Sequence, residues 1–290
     1  MKSAGFEYYR AHTISEAIEM FAMLESEGKS PLFFNGGTEI ITMRRINVRY
    51  TDARAVIDIK GIPECAYTGF QRDRFVIGAS VSLARLEETI AFPLLAKNSS
   101  RIADHTSREK ITIGGNICGN IQYKEAVLPL LLTDCELMIA NKSGVDILPI
   151  HQVFDQQINL APGSFITQIL VPEQFLEAPF VSKKITRMDR IGYPLVTVSA
   201  LKAGNWLRVA FSGVCGFPFR HTGLEVALND QRQSVKQRIA TAVNQLPAPV
   251  LDDLEGSASY RLFVLRNVLE ETLIELEGNE RHGTISRIDD

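Results

Sequence analysis

The sequence has few cysteines and no long apolar run. Its four cysteines form no Cys-x-x-Cys pair and its five histidines are dispersed, which argues against a zinc or iron–sulfur site in this chain. The longest unbroken apolar stretch, residues 126–132, is far shorter than the roughly 18–20 residues that a membrane span needs. No apolar stretch follows Met1 and Lys2, so we expect no secretory signal. These absences predict a cytoplasmic protein without a membrane span.

A surplus of positive charge is also missing. The 290 residues include 31 Lys and Arg against 34 Asp and Glu, a formal net charge of −3 at pH 7. Binding to a nucleic-acid backbone usually requires a basic surplus, so nucleic acid is not an expected partner. Hydrophobic residues make up 45% and charged residues 22% of the chain, the composition of an ordinary globular protein. A chain of this length is expected to form about two domains.

Signatures of several common enzyme classes are absent as well. The sequence contains no Gly-x-x-x-x-Gly-Lys-Ser/Thr loop, no His-Glu-x-x-His, no Gly-x-Ser-x-Gly and no Gly-x-Gly-x-x-Gly after a predicted strand. A P-loop kinase, a zinc protease and an α/β-hydrolase are therefore not supported. We assign no residue a catalytic role.

The pattern of apolar residues predicts an α+β protein with a domain boundary near residue 175. The expected strands are residues 31–34, 55–59, 75–79, 137–140, 145–150, 166–171, 181–186, 195–202 and 207–211, and the expected helices are 14–27, 82–90, 92–105, 126–132, 232–246 and 258–276. The last three strands are expected to form an antiparallel meander. Residues 173–179, polar and bracketed by prolines, are the candidate linker. We expect a first domain over residues 1–175, with subdomains of about 1–60 and 61–175, a second over 179–278 and a polar tail over 279–290.

Two glycine pairs follow predicted strands and invite a ligand-binding interpretation. They are Gly36-Gly37, within residues 33–39, and Gly114-Gly115, within residues 111–116. Without a Cβ atom, adjacent glycines allow consecutive backbone N–H groups to turn toward one anion, and a neighbouring hydroxyl adds a donor. A single glycine pair is usually only a tight turn, whereas two such loops make a turn and a pyrophosphate site about equally good explanations. The residues alone leave both open.

The order and spacing of these motifs resemble the flavoprotein (medium) subunit of molybdenum hydroxylases, the xanthine dehydrogenase and carbon monoxide dehydrogenase family. The family's first FAD loop, Ala-Gly-Gly-Thr-Asp, is similar to residues 35–39, and its second, Arg-Asn-x-x-Thr-Ile-Gly-Gly-Asn, is similar to residues 108–116. An acidic residue of the family matches Glu125, nine positions after Asn116. Further matches are Ile77 to Leu83, Leu128 to Leu132, Lys184-x-x-Arg187, Gly213-Val214, Pro218-x-Arg220 and Ser257 to Arg261. The resemblance covers nearly the whole chain.

This resemblance implies a vanillyl-alcohol-oxidase (PCMH) type FAD-binding domain of two subdomains, followed by a C-terminal domain of a three-stranded antiparallel sheet and helices. It implies FAD as the cofactor, extended between those subdomains, with its pyrophosphate on the two glycine loops. The residues that it implies as FAD contacts are Phe33, Phe34, Asn35, Gly36, Gly37, Thr38, Glu39, Ile40, Thr112, Ile113, Gly114, Gly115, Asn116, Glu125, Ile166 and Lys184. No metal ligand is implied.

The resemblance also implies a function: an electron-transfer subunit that is active only in complex with an iron–sulfur subunit and a molybdopterin-binding large subunit. Electrons would pass through FAD to NAD or to another acceptor. Two alternatives stay open. One is a stand-alone FAD-dependent oxidoreductase of the same fold. The other is a non-catalytic assembly module that has lost the cofactor, because Gln122-Tyr123-Lys124 stands where the family usually has small residues.

Overall fold

A computed structural model describes residues 5–187 and 192–283, and these group into two compact units. The first unit comprises the described residues up to 89, residues 104–120 and residues 134–173. The second comprises residues 90–103, residues 121–133 and the described residues from 174 onward. The predicted boundary near residue 175 lies beside one border of these units, whereas residues 90–103 and 121–133 precede it and belong to the second unit.

A three-stranded parallel sheet forms one part of the first unit. Its strands are β1 (Glu7–Arg10), β2 (Leu32–Phe34) and β3 (Ala55–Asp58), in the order β1-β3-β2. Parallel neighbours need crossover connections, which here contain α1 (Ile14–Ser26) and α2 (Thr38–Arg45). Thr13 caps α1 by accepting a hydrogen bond from the N–H of Glu16 at 3.1 Å. The predicted β-α-β unit is therefore confirmed, with β1 as an additional strand.

A five-stranded antiparallel sheet forms the other part of the first unit, in the order β4-β5-β10-β6-β7. The remaining elements of this unit are α3 (Pro63–Ala66), β4 (Thr68–Gln71), β5 (Arg74–Gly78), α4 (Leu83–Glu87), α6 (His105–Arg108), α7 (Ile113–Cys118), β6 (Glu136–Asn141), β7 (Gly144–Pro149), α9 (Ile150–Val153), β8 (Phe154–Asp155), β9 (Gln157–Ile158) and β10 (Phe165–Pro172). Strands β6 and β7 form the predicted hairpin. The sheet ends at a short 3-10 turn, Glu173–Phe175.

A four-stranded antiparallel sheet lies at the centre of the second unit, in the order β11-β12-β13-β14. The elements of this unit are α5 (Pro93–Ser99), α8 (Val127–Leu132), β11 (Phe180–Thr186), β12 (Pro194–Ala203), β13 (Trp206–Ser212), β14 (Phe219–Arg220), α10 (Thr222–Leu228), α11 (Val235–Val243) and α12 (Ala258–Gly283). The first three strands are the predicted meander, and β14 adds two residues at its edge. Buried Leu265, Leu269 and Leu273 of α12 belong to the core of this sheet.

Two predicted segments differ from the structure. The single helix expected over residues 92–105 is two helices, α5 and α6, because Ala103 has a φ angle of +49° and Asp104 starts α6 as an N-cap that accepts from the N–H of Ser107. The tail expected over residues 279–290 is helical up to Gly283, and residues 284–290 lie outside the described part of the chain. None of the described helices combines the length and the apolar composition needed to cross a membrane.

Candidate functional site

The first glycine loop connects β2 to α2 and leaves several backbone donors without an acceptor. Gly37 has a φ angle of +70°, in the left-handed region that favours glycine, and α2 has no side-chain cap. Within residues 5–187 and 192–283, no hydrogen bond has the N–H of Gly36, Gly37 or Thr38 as its donor. The N–H groups at the start of a helix carry a partial positive charge. This loop is therefore suited to an anion such as a phosphate.

The second glycine loop uses its backbone donors internally. The N–H of Ile113 donates to the carbonyl of Val81 and that of Gly114 donates to the carbonyl of Ala79, both at 2.9 Å. The N–H of Gly115 donates to Oγ1 of Thr112 at 3.2 Å, which makes Thr112 the N-cap of α7. The prediction that both glycine pairs offer free N–H groups therefore holds for the first pair and not for the second, where the N–H of Thr112 alone among residues 111–116 has no acceptor in the described structure. Thr112 itself is buried, and a contact of its hydroxyl with FAD stays a prediction.

Glycine lets the two loops approach each other closely. A Cβ atom on Gly36 would lie 2.2 Å from the carbonyl oxygen of Lys110, and one on Gly114 would lie 2.8 Å from Cβ of Ala79. Nδ2 of Asn35 donates to the carbonyl oxygen of the same Ala79 at 2.9 Å, so both loops contact this residue. In the described structure, a Cβ atom on exposed Gly115 would come within 4 Å only of Oγ1 of Thr112, at 3.0 Å. Gly115 therefore borders open space.

Buried polar oxygens without partners lie at both loops. Among the described residues, Oδ1 of Asn35, Oδ1 of Asn116 and the hydroxyl of Ser80 are buried and have no hydrogen-bond partner. The bond from Nδ2 of Asn35 to Ala79 fixes which side-chain atom of this asparagine is the oxygen. An unsatisfied buried polar group costs roughly 1–3 kcal/mol. A ligand with hydroxyl or amino groups would satisfy these oxygens.

Other predicted contacts in the first loop have packing partners. The ring centroid of Phe33 lies 5.1 Å from that of Phe21 and 4.5 Å from that of Phe165. The ring of Phe34 lies under the loop, because a Cβ atom on Gly37 would be 2.0 Å from it. Ile40 is half-buried on α2, and the carboxylate of Glu39 accepts a hydrogen bond from the backbone N–H of Asn120 at 2.9 Å.

Lys60 is a residue near the first loop that sequence reasoning missed. Its Nζ atom donates to the carbonyl oxygen of Asn35 at 3.0 Å and lies 2.9 Å from Oδ1 of Asp58. The same atom lies 5.0 Å from the ring centroid of Phe34. Lys60 follows β3, and the first loop follows β2. Because β2 and β3 are parallel neighbours, their carboxyl ends lie at the same edge of the sheet. This order of elements in the sequence could have indicated that Lys60 lies near the loop.

Glu125 and Lys184 form a buried ion pair in the second unit. Oε1 of Glu125 lies 2.9 Å from Nζ of Lys184, and the two side chains are only 5% and 6% exposed. The same Nζ donates to the carbonyl oxygen of Arg101 at 2.8 Å. Oε1 of Glu125 meets no donor in hydrogen-bond geometry despite this short distance. The pair is held electrostatically and leaves that oxygen able to accept another bond.

Polar side chains surround this pair in the second unit. Nδ2 of Asn98 donates to the carbonyl oxygen of Glu125 at 3.0 Å and to Oγ of Ser199 at 2.8 Å, while its Oδ1 accepts from Ser182 at 2.6 Å. Nη1 of Arg101 donates to the carbonyl oxygen of Ser182, and burial lowers the pKa of this arginine. The structure thus brings Glu125 and Lys184 together, although the sequence separates them widely.

Ile166 is a buried core residue of the first unit. It pairs with Ile139 of β6 in the antiparallel sheet, and the register of β10 shifts between Ile166 and Gln168, which is the mark of a β-bulge. Its role as a cofactor contact stays a prediction.

Comparison with known families identifies the class of this protein. The family described as the FAD binding domain in molybdopterin dehydrogenase matches residues 4–174, more than half of the chain. The chain belongs to this family, and its cofactor is FAD. The glycine loops, the unused N–H groups and the buried asparagine oxygens described above all lie within the matched residues. The resemblance inferred from the motifs is confirmed.

Curated relatives match along most of their length. The chain is 25% identical to the xanthine dehydrogenase FAD-binding subunit of Escherichia coli O157:H7 over 284 residues, which cover 92% of this chain and 94% of that protein. It is 23% identical to the carbon monoxide dehydrogenase medium chain of Hydrogenophaga pseudoflava over 280 residues, covering 92% and 96%.

Solved structures share the fold. A carbon monoxide dehydrogenase chain from Hydrogenophaga pseudoflava has a TM-score of 0.82 at 22% identity and covers 93% of this chain and 96% of its own. A chain of quinoline 2-oxidoreductase from Pseudomonas putida 86 has a TM-score of 0.81 at 17% identity, covering 96% and 99%. The predicted fold class, an α+β FAD-binding domain followed by a C-terminal antiparallel sheet with helices, is confirmed.

Proposed function

We propose that this protein is the FAD-binding electron-transfer subunit of a cytoplasmic molybdenum hydroxylase complex, resembling xanthine dehydrogenase. Its partners would be an iron–sulfur subunit and a molybdopterin-binding large subunit, and its electron acceptor would be NAD or another oxidant. The observation that carries this proposal is the first glycine loop with its unused N–H groups, together with the buried and unpartnered side-chain oxygens of Asn35 and Asn116. The relatives named as FAD-binding or medium subunits support the assignment.

The first loop would hold the pyrophosphate of FAD. The N–H groups of Gly36, Gly37 and Thr38 are the donors, and the partial positive charge at the start of α2 favours the anion. The hydroxyl of Thr38, which has no hydrogen-bond partner within the described part of the chain, adds a donor. Nζ of Lys60, bound to the carbonyl of Asn35, brings a positive charge to the same loop.

The second loop would contribute shape and acceptors rather than backbone donors. Oδ1 of Asn116 would accept a hydrogen bond from a hydroxyl or amino group of FAD, as would Oδ1 of Asn35 in the first loop. Gly115 adds no side chain at the exposed surface of α7, where a Cβ atom would meet only Oγ1 of Thr112 among the described atoms within 4 Å. When bound, FAD supplies the redox chemistry that converts single-electron into two-electron transfer. The residues of this chain bind and orient the cofactor.

The proposal includes Ile166, Glu125 and Lys184 as residues that affect the flavin, on the strength of the family resemblance. Glu125→Ala would leave the ammonium group of Lys184 buried without its carboxylate, which typically costs about 3–5 kcal/mol of stability. Glu125→Gln keeps the size and one oxygen acceptor. FAD titration into the apo forms of both variants, with the melting temperature measured alongside, therefore separates a cofactor contact from a purely structural ion pair. Wild-type FAD affinity in a folded Glu125→Ala variant with a lowered melting temperature would remove Glu125 from the proposed site.

The experiment that tests the proposal is purification of the tagged full chain from its own host, followed by an absorption spectrum and metal analysis. Bound flavin together with molybdenum- and iron-containing partner chains is the expected result. Bound flavin with substrate turnover, but without molybdenum or partners, would instead identify a stand-alone oxidoreductase. A chain that neither contains flavin nor binds added FAD would be a non-catalytic assembly module, and the proposal would be wrong.

A further inference from the structure

Glu39, Tyr50 and Asn120 form a hydrogen-bonded cluster in the first unit. Both carboxylate oxygens of Glu39 lie 2.9 Å from the backbone nitrogen of Asn120. The hydroxyl of Tyr50 donates to Oε1 of Glu39 at 2.6 Å and accepts a bond from Nδ2 of Asn120 at 2.8 Å. All three residues thus contact one another through directed bonds, one of which involves a main-chain donor.

This cluster joins the segments that follow the two glycine loops. Glu39 is the second residue of α2, directly after the first loop, and Asn120 follows Gly119, the C-cap of α7, which begins at the second loop. A Cβ atom on Gly119 would lie 2.6 Å from Oε2 of Glu39, so a larger residue there would push the carboxylate away. The two loops already approach each other closely at Gly36 and Lys110. The cluster adds a second connection, between α2 and the residue that follows the C-cap of α7.

Tyr50 is held in an unusual backbone conformation that directs its side chain to this cluster. Its φ angle is +61°, a region that aromatic residues rarely adopt and that is costly for them. Nη1 of Arg44, from α2, donates to the carbonyl oxygens of Tyr50, at 3.0 Å, and of Ala53, which holds the loop after α2 in place. The cluster is therefore supported by two further contacts from the same helix.

We propose that Glu39 is a positioning residue that acts on FAD through Asn120 and Tyr50 rather than by contact with the cofactor. Its carboxylate is engaged on both oxygens, and a negative charge would repel the pyrophosphate at the start of α2. By holding the end of α7 against α2, it keeps the two loops at the spacing that one cofactor requires. This inference rests on the proposed function, because FAD is its readout.

The test compares FAD affinity, by titration of the full-length apo-protein, among wild type, Glu39→Ala, Glu39→Gln, Tyr50→Phe and the Glu39→Ala/Tyr50→Phe double variant. Alanine removes every acceptor, so we expect affinity to fall on the order of tenfold. Glutamine keeps one oxygen for the N–H of Asn120, so its affinity should stay within about threefold of wild type. Because both residues act in one cluster, the double variant should be no weaker than Glu39→Ala alone.

A second measurement follows the end of α7 directly. Amide hydrogen exchange in residues 115–120 of the apo-protein should be faster in Glu39→Ala than in wild type, and close to wild type in Glu39→Gln. The matched control is Tyr9→Phe, which removes a 2.7 Å hydrogen bond to Glu7 in the same unit. This control should change neither the exchange of residues 115–120 nor FAD affinity.

Different results would overturn different claims. If the two single variants lower affinity by independent factors that multiply in the double variant, Glu39 acts independently of Tyr50 and the positioning role is wrong. Unchanged FAD affinity in Glu39→Ala, together with its loss in Gly115→Leu, would also remove the positioning role but leave the proposed function standing. If Glu39→Ala does not fold, the FAD affinities of Tyr50→Phe and Glu39→Gln still test the proposal. The positioning role predicts weaker FAD binding in Tyr50→Phe than in Glu39→Gln. A wild-type chain that binds no FAD would refute the proposed function itself.

Discussion

The two glycine loops contain the same Gly-Gly dipeptide, but the hydrogen bonding of their backbone N–H groups differs. In the first loop, the N–H groups of Gly36 and Gly37 have no acceptor in the described structure, and a left-handed Gly37 opens helix α2. In the second loop, the N–H groups of Gly114 and Gly115 are bonded within the unit, and helix α7 has only six residues. The first loop therefore offers donors to an anion, whereas the second offers close packing at Gly114 and open space at Gly115.

This difference shows that a Gly-Gly motif alone does not determine whether its backbone N–H groups are available to a ligand. Whether an N–H group is free depends on carbonyl groups brought from elsewhere, here those of Ala79 and Val81. The contrast between the loops can be tested by substitutions that affect one loop and spare the other.

The largest expected effect is on stability, from Gly36→Ala. The new Cβ atom would lie 2.2 Å from a backbone carbonyl oxygen, which cannot move aside as a flexible side chain could. We expect a loss of about 3 kcal/mol in the free energy of unfolding, at the upper end of overpacking effects. Gly115→Ala, whose Cβ would approach only the side-chain oxygen of Thr112, should leave the melting temperature almost unchanged or raise it slightly. Equal destabilisation of the two variants by denaturant unfolding would contradict the comparison.

The next effect is on cofactor affinity, from Gly115→Leu. A branched side chain would fill the open space above α7, so we expect FAD affinity to fall more than tenfold, or about 1.4 kcal/mol, without a large change in melting temperature. Gly278→Leu is the matched control, because Gly278, like Gly115, lies in a helix, and a Cβ atom on Gly278 would meet no described atom within 4 Å. Full flavin occupancy in Gly115→Leu would show that the second loop does not border the cofactor.

Smaller effects are expected from Thr38 and Thr112: substitution of Thr38 should mainly change FAD affinity, and substitution of Thr112 should mainly change stability. Thr38→Val removes a hydroxyl without a hydrogen-bond partner in the described structure, so it should weaken FAD binding by roughly 2- to 12-fold and leave stability unchanged. Thr112→Val removes the N-cap of α7, so it should cost about 1 kcal/mol of stability. Because this hydroxyl already accepts a bond from the N–H of Gly115, its loss should weaken FAD binding less than Thr38→Val does. Melting temperature and FAD titration of both variants check this. The comparison would fail if Thr112→Val weakened FAD binding more than Thr38→Val.

The smallest expected effect is a pH dependence at the connection between the loops. Burial, together with the bond to Glu39, raises the pKa of Tyr50 to about 12. A raised pKa means that the neutral hydroxyl stabilises the folded chain fully below about pH 10, where unfolded tyrosine ionises, and that this stabilisation is lost as the pH rises toward 12. The difference in unfolding free energy between wild type and Tyr50→Phe should therefore be constant up to about pH 10 and shrink above it. A constant difference throughout would argue against the bond to Glu39.

Elements with a strong local pattern could be predicted from the sequence. Helix α1 follows from its capping residue and apolar repeat, and the hairpin of β6 and β7 follows from alternation around a turn. Strand β1 was missed because its four residues are mostly exposed and form no apolar run, and β14 was missed because it has only two residues. The break between α5 and α6 was missed because an alanine in left-handed conformation leaves no signal in the sequence.

The sequence by itself determined the positions of the two Gly-Gly turns, and the spacing of its motifs was sufficient to indicate the FAD-binding family. Those properties depend on residue type and on near neighbours along the chain. Only the tertiary structure decided which N–H groups remain free, that Glu125 pairs with Lys184, and that Glu39 contacts Asn120. These contacts join residues far apart in sequence, and their geometry arises from the packing of whole elements, which no local pattern contains.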